Sequence, residues 1–222
     1  MLEHCGPQVD GVALVGSLTE AWNKPDVYRA IFKTLGASGL RTYWVPGPND
    51  APVREYLSES HGMEIAYPLL RGVHGTYALA PGSGNIVFAG MGGEILDPPE
   101  TQRVEEFRLR YPGWEVEYRL KVLRDVDNPL RVFLFATVPA HKGLHTGASE
   151  VLAELVNTYV PKLVVVGGET PAQGVLGKSL IVAPGRLDHG HYATIDLRER
   201  SVEPGRIELP SHEPEPLLPK GA

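Results

Sequence analysis

Five short stretches constrain this chain more than anything else in it. They are GVALVGS (11–17), LRTYWVP (40–46), RVFLFATVP (131–139), KLVVVGG (162–168) and SLIVAPG (179–185). Each is a dense run of aliphatic, β-branched or aromatic residues that stops at glycine, serine or proline. A strand with one face in water alternates apolar and polar residues, so runs this continuous predict strands buried on both faces. Helical patterns lie between them. Pro25 suits a first helical turn, Val27, Ile31 and Leu35 share one face, and Gly36 marks the end. APVREYLSES (51–60) makes a short helix. SEVLAELVNTYV (149–160) is amphipathic, with Val151, Leu152, Leu155, Val156 and Tyr159 on its apolar side. Strand–helix alternation in the first and last thirds predicts parallel strands joined by helical crossovers.

The middle is richer in β signals. MEIAYPLL (63–70), GTYALA (75–80) and NIVFAGMGGEI (85–95) are compact apolar segments between Gly, Pro and Ser, as in hairpins or sheet edges. Residues 99–126 read as helix, broken at Tyr111-Pro112-Gly113, with a charged, solvated face. HYATIDL (191–197) is a closing strand. After Arg200 the chain turns proline-rich and acidic, so residues 1–200 are expected to form a single domain and 201–222 a mobile tail.

Composition narrows the function classes. The chain has 222 residues, enough for one well-filled core. Its net charge of −6 gives no reason to expect nucleic acid or an anionic membrane as partner. No apolar run approaches the roughly 20 residues of a bilayer span, and the first residues lack a signal-peptide pattern. The single cysteine, Cys5, cannot close an internal disulfide. A cytoplasmic protein is expected.

In an open α/β sheet, ligands are met at the carboxyl ends of the strands. Here those ends are Gly16-Ser17, Gly47-Pro48-Asn49-Asp50, Thr137 and Gly167-Gly168-Glu169-Thr170. Taken in order, VALVGS, YWVPGPND, FLFATVPAHKGLHTG, KLVVVGGETPAQG and LIVAPGRLDHGHYATIDL resemble the metallophosphoesterase (calcineurin-like phosphoesterase) superfamily, from about residue 11 to about 197. The resemblance implies a four-layer α-β-β-α sandwich of mixed sheets, with the family's first strand left without a counterpart. It also implies a site at the strand ends where two divalent ions and a bridging hydroxide attack phosphorus.

The family's ligand motifs transfer position by position, and the ligands are missing. Asp-x-His has no counterpart. Gly-Asp falls on Gly16-Ser17, so serine stands for the bridging aspartate. Gly-Asn-His-Asp falls on Gly47-Pro48-Asn49-Asp50, with proline for the ligating asparagine and asparagine for the histidine. The lone histidine falls on Thr137. Gly-His-x-His falls on Gly167-Gly168-Glu169-Thr170, with both imidazoles gone. A dinuclear centre needs carboxylates and imidazoles, which serine, threonine and glycine do not replace.

Other polar residues near these ends have a plainer reading beside the functional one. Asp50 fits a helix cap at Ala51, Glu169 a solvated loop acid, and His189 and His191 a turn. His141 and His145, in HKGLHTG, sit on a loop that faces the mouth of the family's site. Ser17 lacks a histidine–acid partnership and reads as a hydrogen-bonding substitute for an aspartate. The ligand-pocket candidates are therefore Ser17, Asn49, Asp50, Thr137, His141, His145, Gly168, Glu169 and Thr170. The expectation is a relative that binds a small molecule or protein without a metal cofactor. The alternatives are a phosphoesterase using one divalent ion (Mn, Mg, Fe or Zn) on substitute ligands, and a homo-oligomeric scaffold joined through a sheet edge.

Overall fold

The computed structural model describes residues 9–19, 25–80, 85–127, 130–141 and 148–209. Strands β1 (Gly11–Val15), β2 (Arg41–Val45) and β3 (Leu70–Gly72) form a parallel three-stranded sheet in that order. Helices α1 (Pro25–Ala37) and α2 (Val53–Ala66) make its crossovers. A second sheet has six strands: β4 (Thr76–Ala80), β5 (Ile86–Met91), β8 (Arg131–Phe135), β9 (Leu163–Val166), β10 (Ala172–Leu176) and β11 (Ser179–Ala183). Their order is β10-β11-β9-β8-β5-β4, parallel in the centre, with antiparallel pairs at both edges. Helices α3 (Gly113–Leu120) and α4 (Glu150–Tyr159) complete the chain's main elements.

Three apolar interfaces separate four layers, as the family resemblance implies. Phe32, Tyr28 and Tyr56 of α1 and α2 pack on Trp44 and Leu70. Tyr43 and Val45 of the first sheet face Val132, Leu134, Leu163 and Val165 of the second, and the Tyr43 and Phe88 rings stack at 3.8 Å between centroids. On the far face Phe133, Phe135, Val164 and Val166 meet Leu120, Leu152, Leu155 and Val156 of α3 and α4. Residues of β2, β8 and β9 alternate between two buried faces, which is why their sequences carry no polar alternation. Short pairs β6 (Glu94–Leu96)/β7 (Arg110–Pro112) and β12 (His191–Asp196)/β13 (Ser201–Arg206) lie at the ends.

Three expectations change. Met63–Ala66 continue α2 rather than opening a strand, because Pro68 is the first residue that bars the helix. Residues 99–112 are not helical; the Tyr-Pro-Gly step begins α3 instead of breaking it, with Pro112 as its N-cap. The supposed tail contributes β13 over Ser201–Arg206, where Val202 opposes Ile195 and joins the apolar packing between the sheets. Ile207 N–H donates to Gly190 O in this hairpin, so by alternation Pro204, opposite Ala193, sits where an N–H would point away from β12. Residues 210–222 lie outside the described residues.

Candidate active-site cavity at the strand ends

The carboxyl ends of β1, β2, β5, β8 and β9 lie on one rim. Gly93 N–H donates to Pro46 O and Leu109 N–H to Pro48 O, which joins the end of the first sheet to that of the second. The loop after β1 and the loop after β2 touch backbone to backbone. A Cβ on Gly16 would lie 2.3 Å from Gly47 N, and one on Gly47 would lie 2.1 Å from Ser17 N. Only glycine fits either position. Gly47→Ala is expected to lower stability by about 1–3 kcal/mol, since the obstructing atoms are backbone and cannot swing away. A urea unfolding midpoint equal to the native one rules this out.

Asp50 fixes the same loops. Its carboxylate is wholly buried and accepts from Leu18 N–H at 2.9 Å, Thr19 N–H at 3.2 Å, Gly47 N–H at 2.7 Å and the Thr19 hydroxyl at 3.0 Å. The Tyr28 hydroxyl reaches it at 3.3 Å. Burial pushes its pKa above the ordinary carboxylate value, and the backbone N–H groups of Leu18 and Gly47 pull the other way. Tyr28 is likewise raised, first by burial and then by the Asp50 charge. Asp50 is therefore not the cap of α2, whose N-cap is Pro52, with no side chain capping it. Its donors, two of them on the β1 loop, enclose it away from the cavity.

A cavity of about 1710 Å³ opens beside these loops, with Ser17, Asn49, Thr137, Gly168 and Glu169 in its wall. Five of the candidate residues thus share one space. Asp50, His141 and Thr170 are not part of that wall, and His145 lies outside the described residues. Ser17 Oγ accepts from Asn49 N–H at 3.0 Å. Thr137 Oγ1 accepts from Ile95 N–H at 2.9 Å and donates to Gly93 O at 3.2 Å, which ties β8 to the turn before β6. A Cβ on Gly167 would meet Ala136 O at 2.6 Å, so close strand-end packing holds that glycine.

Two arginines that sequence reading missed also line the cavity. Arg108 donates to Glu94 at 2.9 Å, and Arg186 pairs with Glu169 at 3.3 Å and with Asp188. Glu94 is further approached by Arg110 at 3.3 Å. The rim acids are thus neutralised by guanidinium groups. Among the described residues, no three His, Cys, Asp or Glu side chains converge as a metal site. The residues at the family's ligand positions are serine, proline, asparagine, threonine and glycine, with the Ser17 and Thr137 hydroxyls already engaged by backbone, and they do not fit a dinuclear centre.

Comparison with known proteins agrees with the fold. The family model described as metallophosphoesterase, calcineurin superfamily, matches residues 17–207. The crystal structure of TT1561 of Thermus thermophilus is 40% identical, covers 91% of this chain and 89% of its own, and superimposes with a TM-score of 0.86. A second solved structure, 24% identical over 92% of this chain and 90% of its own, shares the fold with a TM-score of 0.80. No curated protein matches the chain. With the four-layer sandwich and the strand-end cavity in place, the chain belongs to the metallophosphoesterase family of the calcineurin superfamily.

Proposed function

We propose that this protein is a binding member of its superfamily, one that works without the dinuclear metal centre and without in-line phosphoester hydrolysis. The observation that carries this reading is the chemistry of the cavity wall. Ser17 and Thr137 stand at strand ends where charged ligands would be needed, and both hydroxyls are already bonded to backbone. Two acids of the cavity wall, Glu94 and Glu169, are paired with the guanidinium groups of Arg108 and Arg186. A divalent ion there would first have to displace a guanidinium.

The test is metal content and Mn²⁺ titration of the untagged protein, by elemental analysis and calorimetry. The expected result is no stoichiometric metal on purification and no saturable heat up to millimolar Mn²⁺. Tight uptake of one or two ions per chain would replace this reading with that of a phosphoesterase on substitute ligands.

A further inference from the structure

One flank of the sandwich ends in two strand edges. β3 closes the first sheet and β4 the second, and only residues 73–75 link them, so both edges lie on the side away from β1. Among the described residues no strand pairs with the outer edge of β4. Sheet edges are ordinarily guarded by charge, proline or a bulge. TYALA, Thr76–Ala80, carries no charge and no proline, and it pairs with β5 residue for residue without a bulge. Its Leu79 is 55% exposed.

The free backbone groups of this edge can be named. Val87 N–H donates to Leu130 O, and Gly90 O accepts from Gly75 N–H. By alternation Val87 and Ala89 turn their backbone groups to β8, and Phe88 and Gly90 turn theirs to β4. Tyr77 and Leu79, opposite Ala89 and Val87, therefore direct N–H and C=O outward. That spacing is self-complementary. When two copies meet antiparallel about Ala78, Tyr77 of each pairs with Leu79 of the other and exchanges both N–H···O bonds with it. The same register lays each exposed Leu79 against a Tyr77 ring, a favourable aromatic–aliphatic pair.

The helix beside this edge suits the same symmetry. α3 runs alongside β4 in the same direction: Gly113 packs on Val151 at the rim, and the helical turn Lys121–Arg124 ends beside Arg131 at the start of β8. Tyr77 packs on the cluster that holds Val116, Leu120 and Leu123. Arg119 reaches back one turn to Glu115 and passes over Gly75, so its own turn of helix lies further along β4, towards Ala78. At that level α3 exposes Tyr118, at 74%, between Glu117 and Lys121. A two-fold axis at Ala78 reverses α3 in the second copy and turns Glu117 of each towards Lys121 of the other. We infer that β4 is a dimerisation edge, pairing antiparallel with β4 of a second copy of this chain to give one continuous sheet with six strands from each copy. Tyr118 of each copy covers the joint. The dimer edge stands apart from the cavity and does not depend on what the cavity binds.

The test is the mass of the full chain by sedimentation velocity, with amide exchange read at low and high protein concentration. At about 100 µM the expected species is a dimer of the 24.2 kDa chain, with protection of the Tyr77 and Leu79 amides that rises with concentration. Leu79→Lys places a charge beside the axis in each copy and is expected to weaken the dimer at least about tenfold. Leu79 is exposed in the single copy, so this variant keeps the native circular dichroism spectrum. Val175→Lys, at an exposed position of β10 on the sheet's other edge, is expected to leave the dimer unchanged. A monomer at about 100 µM overturns the proposal and leaves the edge free for a foreign strand. A dimer that Leu79→Lys leaves as tight as the native one, or larger assemblies that Val175→Lys dissolves, overturns it as well.

Discussion

Asp50→Ala is expected to cost about 3–5 kcal/mol of stability, the scale set by several inward-facing donors losing their one acceptor together. The loss has an identifiable source. Backbone N–H groups of Leu18, Thr19 and Gly47 all donate to this one carboxylate. Alanine leaves the buried Gly47 donor and the part-buried Leu18 and Thr19 donors unpaired, the buried one at about 1–3 kcal/mol before the loops relax and the others at less. Asp50→Asn keeps one acceptor oxygen but turns an amide N–H₂ towards a donor, so its cost falls between alanine and the native protein. Urea denaturation gives the stability, and amide exchange at residues 16–19 shows where the loss lands. A change below about 1 kcal/mol in the alanine variant would mean that water satisfies these donors and that Asp50 is not the anchor of the loop.

The contrast between Asp50 and Ser17 shows what the sequence could tell. Both lie in motifs at strand ends, and the runs before them are apolar enough to place those ends on one rim by pattern alone. The strand–helix alternation was legible for the same reason, whereas the four layers and the positions of the ligand motifs followed only from the family resemblance. Burial on two faces leaves a signature in composition that needs no partner to be seen. The direction in which a loop side chain turns leaves no such signature. Asp50 reads as a cap because capping is local, whereas two of its donors, Leu18 and Thr19, are 32 and 31 residues away and only Gly47 is near in sequence. Arg108 and Arg186 were missed because each is one arginine among many charged residues, and only the fold brings them to the same cavity. The hairpin partner of β12 was hidden by Pro204, which discourages a strand assignment unless its N–H side is known to face outward.

The second large effect concerns acid, and it comes from a histidine that no motif marks. His74 sits against the Tyr111 ring, 5.1 Å between centroids, and its Nδ1 accepts from Gly92 N–H at 3.0 Å, so the neutral ring carries its proton on Nε2. Burial, with Arg119 and Arg103 adding to it and Glu105 opposing, lowers its pKa to about 4. An unfolded histidine titrates near 6.5, so between these values the unfolded chain binds the proton more readily than the folded one. The contribution of His74 is therefore complete above about pH 6.5 and is lost as pH falls towards 4, by roughly 3 kcal/mol as a ceiling, since the residue keeps some contact with water. Glu105 is also held low: burial works against its charge, but hydrogen bonds from Arg103 and Tyr111 outweigh it, and it too withdraws stability in acid. His74→Asn separates the two. Its amide oxygen can take the Gly92 N–H where Nδ1 does, and it does not titrate. Unfolding free energy measured from pH 7.5 to 4.5 should fall more steeply for the native protein than for this variant. Parallel curves would assign the acid sensitivity to the carboxylates and remove His74 from the account.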